Sequence, residues 1–142
     1  MRITVNRGLT VALRLVLKPH ERLIVGGAVL RNGSARAELM IENTVPVLRE
    51  RDILSPSTAT TPCEMIYLTI QLMYVEPQSV SQQRHTYQVL LHDVLTAAPS
   101  TRDLISRIDA DVAAGRYYQA LKTARELLTY EHSLLADAQH RT

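Results

Sequence analysis

The hydrophobic period of this 142-residue chain changes near Ser55, and no single kind of secondary structure satisfies both halves. Before that point apolar residues recur at every second position, the repeat of a strand with one covered face. Leu13, Leu15 and Leu17 alternate with Arg14, Val16 and Lys18, so one side is apolar and the other carries two cations. Beyond Ser55 the spacing becomes helical. The expected fold is therefore α+β: a small antiparallel β module over residues 1–54, a linker over 55–61, and about four α-helices over 62–142.

Within the β module, Pro19-His20 ends the first run and Arg22–Val25 forms a second short strand. Gly26-Gly27 permits a tight turn into Ala28–Arg31. Asn32-Gly33 is a strong short-range hairpin signal, because both residues tolerate positive φ, and it predicts pairing of Ala28–Arg31 with residues 35–41. In that return strand Ala37, Leu39 and Ile41 face one way and Arg36, Glu38, Met40 and Glu42 the other. Residues 45–48 make a fifth strand, at an edge because Pro46 has no N–H to donate. Such strands make a curled sheet or small barrel whose core needs a further surface to pack on.

The helical half is punctuated more sharply. Thr61-Pro62-Cys63-Glu64 combines a capping residue, a proline suited to the first helical position and the glutamate of a capping box. The helix it starts should reach about Val75, since Pro77 forbids continuation. Its residues leave little polar face, so it should be buried on most sides or between subunits; a homodimer is expected on that ground. A second helix fits Val80–Ala97, with Tyr87, Leu90, Leu91, Val94 and Leu95 on one stripe. A third follows Pro99, with Ser100 and Asp103 as its capping pair, and stops at Gly115. The fourth covers about 116–132, with fraying expected beyond Leu135.

Chemistry is sparse by comparison. His20, His85, His92, His132 and His140 are scattered, with no metal-ligand spacing to each other or to Cys63, and no phosphate loop or nucleophile elbow occurs. No metal, cofactor or enzymatic activity is expected. Cys63 sits at a helix start, where the dipole favours a thiolate, yet a lone cysteine there is more often structural. One cysteine cannot form an internal disulfide, and no run of 18 apolar residues or secretory signal is present; a cytoplasmic protein with no membrane association is expected. From residue 1 to 54, nine Arg and Lys oppose five Asp and Glu, a net charge of +4, against −2 for the remainder. An anionic partner is therefore to be sought at the N-terminal end.

Several blocks resemble the FlbT family of flagellin regulators: LRLVLKPHERLIVGGAVLRNG at 13–33, ENTVPVLRERDIL at 42–54, ATTPC at 59–63, YLTIQLMY at 67–74 and AAGRYYQALKTARELLTYE at 113–131. The resemblance implies a post-transcriptional regulator that associates with the 5′ leader of flagellin mRNA and promotes its decay or blocks its translation. It also implies a FlaF-like regulator as a partner. Residues 1–12 precede the usual family start, as an extension or an upstream start codon.

A shorter resemblance bears on mechanism. LVLKPHERLIVGG at 15–27 and VLRERDI at 47–53 are similar to the small dimeric RNA-binding regulator family CsrA. That likeness implies an RNA surface on the strands, homodimerisation by strand sharing, and an RNA-reading role for Arg49. The RNA-binding residues expected are Arg14, Lys18, Arg49 and Arg51. Because no aromatic residue precedes Tyr67, bases would stack on guanidinium planes. Arg49→Ala is expected to weaken leader binding by about tenfold or more with stability nearly intact, as for a surface residue. The alternative is an adaptor that never touches RNA: GRYYQAL at 115–121, with Ala124, is similar to part of a tetratricopeptide helix pair, a peptide-binding device.

Overall fold

The computed structural model describes residues 2–5 and 11–140. The chain is α+β, with small antiparallel sheets first and four α-helices after them. It divides into two units, Met1–Ile53 and Leu54–Thr142.

In the first unit, β1 (Arg2–Val5), β2 (Val11–Leu17) and β5 (Ala37–Ile41) form one sheet in the order β1-β2-β5. Strands β3 (Arg22–Val25), β4 (Ala28–Arg31) and β6 (Val47–Arg49) form a second, ordered β4-β3-β6. Strand β1 falls in the segment expected to be an extension. The register of β2 with β5 sets Leu13 beside Ile41, Leu15 beside Leu39 and Leu17 beside Ala37. The core between the sheets is built from Leu15, Leu17, Leu23 and Val47, with Leu13, Val25, Ile41 and Val45 packed around it.

The expected hairpin across Asn32-Gly33 does not form. Strand β4 pairs with β3, closed by Gly26 (φ 56°) and Gly27 (φ 89°), as a type I′ turn requires, and β5 pairs with β2. Asn32 serves as a corner. Its side-chain amide donates to the carbonyls of Lys18 (2.7 Å) and Ala35 (2.9 Å), and its backbone N–H donates to Glu21 O. That crossing lets the alternating row of β5 join the Leu13-Leu15-Leu17 row, which a local hairpin could not do. The last strand is at an edge as expected, and Pro46 accepts from the Gly26 N–H through its carbonyl.

The second unit opens with Gln71 clamping Leu54: its amide oxygen accepts from Leu54 N (2.8 Å) and its nitrogen donates to Leu54 O (3.0 Å). Helix α1 (Pro62–Val75) begins with the full capping box of Thr61 and Glu64, and ends where Pro77 enters a short 3-10 turn. It packs on α2 (Val80–Ala97) and α4 (Tyr117–His140), with Ile66, Ile70 and Met73 fully enclosed. The apolar face expected to be left for a partner is thus covered within the chain. Exposed apolar residues lie elsewhere, most of them on β4 and β5: Val29, Leu30, Leu39 and Met40.

Helix α3 (Arg102–Ala113) forms a helical hairpin with α4 through Gly115 at φ 76°. Ser100 does not cap α3. A 3-10 turn over Pro99–Thr101 leads into the helix, and the Ser100 hydroxyl accepts from Tyr130 instead. Helix α4 runs to His140 rather than ending near 132 or fraying beyond Leu135, since no glycine or proline intervenes to stop it. No helix among the described residues is long and apolar enough to cross a membrane.

Candidate nucleic-acid interface

A tight turn after β2 organises the cationic end of the first unit. Pro19 fixes one φ of this turn, His20 takes the left-handed φ of 62°, and the Glu21 N–H closes it on the Lys18 carbonyl at 3.1 Å. The Glu21 carboxylate folds back to accept from the Lys18 N–H (2.9 Å). It also accepts from Arg49, which reaches across from the end of β6: Nε meets Oε2 at 3.1 Å and an Nη meets both carboxylate oxygens at 2.9 Å. The same Nη donates to Val16 O (2.7 Å), so Arg49 ties β6 to β2 and to the turn.

This ion pair is largely enclosed, with the side chains of Arg49 and Glu21 19% and 10% exposed. Burial opposes the charged form of Glu21, but the Lys18 amide, the Arg49 hydrogen bonds and the charges of Arg49 and Lys18 outweigh it, and the carboxyl sits below its ordinary range. Arg49 is therefore not the solvated strand residue that an unchanged stability on its removal requires. Its partner is Glu21, 28 residues back in the chain, and no local motif indicates that pairing.

Around the pair lies an open cleft of about 590 Å³ lined by Val16, Leu17, Lys18, Pro19, Glu21, Arg36, Arg49, Glu50 and Arg51. Three of the four expected RNA-binding residues, Lys18, Arg49 and Arg51, meet there. Glu50 is engaged by Arg22 at 3.3 Å, and Arg51, largely exposed, has Asp52 at 3.8 Å. Arg14 does not line the cleft. Its guanidinium grips Glu38 on β5 through two hydrogen bonds, of 2.7 and 2.9 Å.

Sequence reasoning missed Arg36. Continuing the β2–β5 register by one residue sets Arg36 opposite Lys18, so two cations stand side by side at the mouth of the cleft. Neither pairs with a carboxylate within 4 Å among the described residues. Each has a carboxylate further off, Glu21 for Lys18 and Glu38 for Arg36, and both side chains stay exposed where an anion could reach them. Only the strand pairing reveals the juxtaposition.

Cys63 is a structural residue. Burial, and after it the neighbouring Glu131 carboxylate, push its thiol up to about 12, against the influence of the helix start. Glu131 accepts hydrogen bonds from the Thr61 hydroxyl and the Cys63 N–H, anchoring α4 on the start of α1.

Residues 13–135 match the family model described as flagellar protein FlbT. The chain is similar to the "Probable flagellum biosynthesis repressor protein FlbT 1" of Bradyrhizobium diazoefficiens, 48% identical over 124 residues that cover 87% of this chain and 84% of that one. It is 36% identical to the probable flagellum biosynthesis repressor of Rhodopseudomonas palustris, covering 87% of this chain and 98% of the relative. The "Flagellum biosynthesis repressor protein FlbT" of Caulobacter vibrioides is 34% identical over 126 residues, 87% of this chain and 89% of its own. No solved structure matches.

Proposed function

This chain belongs to the FlbT family of flagellar proteins, and from that membership we propose that it represses flagellum biosynthesis in the cytoplasm by binding the leader of flagellin mRNA. The observation that carries the RNA-binding step is the cleft that gathers Lys18, Arg36, Arg49 and Arg51 at the strand ends of the two small sheets. Exposed Lys and Arg attract a phosphate backbone, and guanidinium planes offer stacking surfaces for unpaired bases where no aromatic ring is present. The rigid Glu21–Arg49 pair supports the cleft from beneath, leaving Lys18, Arg36 and Arg51 as the contacting cations. No catalytic group enters this account; control comes from occupying the leader.

The test is a titration of the protein with a flagellin leader RNA and with a scrambled RNA of equal length, across a salt series. Leader binding should be tighter than scrambled binding, and log K should fall against log salt with a slope of about −2 to −3, for three or four neutralised phosphates on a single strand. Equal affinity for both RNAs, or none for either, would exclude direct action on the leader.

An adaptor reading has one observation in its favour. The helical unit holds an apolar cleft of about 390 Å³ whose lining includes Pro62, Cys63, Val94, Ala97, Leu134 and Leu135. A FlaF-like regulator docking an apolar side chain there would act without RNA contact, and its binding would persist in protein that fails to bind the leader.

A further inference from the structure

Among the described residues the outer edge of β5 is unpaired in its sheet, and Leu39 and Met40 on it are 38% and 50% exposed. We propose that this edge is a self-association surface, on which β5 of a second copy pairs antiparallel about a two-fold axis at Leu39. An open edge with exposed apolar residues is a template for another strand. What selects the second copy, and this register, is charge. Centring on Leu39 sets Arg36 opposite the partner's Glu42 and, by symmetry, Glu42 opposite the partner's Arg36, with Ala37 facing Ile41 and Leu39 facing itself.

Other registers fail on the same residues. A slip of one residue lays the core-facing row, Ala37, Leu39 and Ile41, beside the partner's outer row. Moving the axis by one residue either way opposes Glu38 to itself or to Glu42, and parallel pairing aligns every like charge. Among the other sheet edges, β4 offers no such complementarity: its one charged residue, Arg31, already donates to His20 O at 3.2 Å. Pairing through β5 would continue the sheet β1-β2-β5 into its symmetry mate and cover Leu39, which the edge leaves half open on the core side.

Sedimentation of the full chain across a concentration series tests this without any RNA, which would compete with the partner's Glu42 for Arg36 at the rim of the cleft. The parent should move from the 15.9 kDa chain mass to twice that value. Arg36→Glu and Glu42→Arg should each raise the dissociation constant roughly tenfold, since each change makes two symmetric pairs repulsive, and the combined swap should restore parent-like dimerisation. A second measurement covers a folding defect in either variant. Leu39→Cys should cross-link to a covalent dimer on mild oxidation, because residues opposed on a two-fold strand pair fall within disulfide reach, whereas Ser34→Cys should not. A parent that stays monomeric throughout, a charge swap no better than its single variants, or no cross-link at position 39 would each overturn the proposal.

Discussion

Arg49→Ala is expected to lower the unfolding free energy by about 3 kcal/mol, the low end for breaking a buried ion pair, because Arg49 keeps some exposure. The variant loses the hydrogen bonds to Glu21 and Val16 and leaves a carboxylate enclosed without its cation. Glu21→Gln should cost less, since it keeps an acceptor for the Lys18 N–H, and the cation it leaves without an anion, Arg49, is the more exposed partner and retains its bond to Val16 O. The loss should also depend on pH. The folded carboxyl of Glu21 lies below its ordinary value of 4.5, so the contribution of the pair is complete above that value and disappears as pH falls through the folded one. Urea unfolding of parent and variant at neutral pH and in acid checks both statements: the difference should be large at pH 7 and shrink in acid. Equal midpoints at pH 7 would show that the pair does not hold the turn and the strand ends together. A binding defect in Arg49→Ala therefore reports on the support of the cleft as much as on RNA contact.

The second large effect belongs to the cations that face solvent. Replacing Lys18, Arg36 and Arg51 together by Ala should weaken leader RNA binding by roughly thirty- to a hundredfold at low salt. The salt slope should flatten by about 2, because each phosphate left without its cation keeps its own counterions and releases none on binding. All three are exposed, so stability should change by no more than about 0.5 kcal/mol per site. Removing Arg84, Arg102 and Lys122 from the helical unit is the matched control, with the same change in net charge and all three side chains exposed. If the control weakens binding as much as the cleft variant, attraction is a property of overall charge and the cleft has no special part in it. Arg14→Ala should act like the control, because Glu38 already holds that guanidinium.

The contrast between the two arginine effects shows what the sequence does and does not carry. Several helix boundaries were legible because their signals are local: Thr61 with Pro62 and Glu64, Pro77 after α1, and Gly115 between α3 and α4; the end of α4, which has no such signal, was not. Strands β2 to β6 were legible for a similar reason, from alternation and the Gly26-Gly27 turn, whereas β1 lay in the segment read as an extension. Their partners were not. Asn32-Gly33 has the composition of a hairpin turn, but its amide is spent on Lys18 and Ala35, and the pairing of β5 is decided by the apolar row on β2 twenty or more residues earlier. The site inherits that gap. Lys18, Arg49 and Arg51 could be nominated from a charged, strand-rich segment, whereas Arg36 enters only when β5 lies beside β2, and Arg49 changes role only when Glu21 is seen beneath it. Long-range pairing has no short-range mark, and a cleft made by pairing has none either.

The most direct measurement of the central claim is photo-crosslinking of a flagellin leader RNA carrying 4-thiouridine to the parent protein, with the adducts mapped by mass spectrometry. Adducts confined to the peptides that carry Lys18, Arg36 and Arg51, and absent with a scrambled RNA, are the predicted result. Adducts only on α1 to α4, or the same adducts with the scrambled RNA, would contradict it.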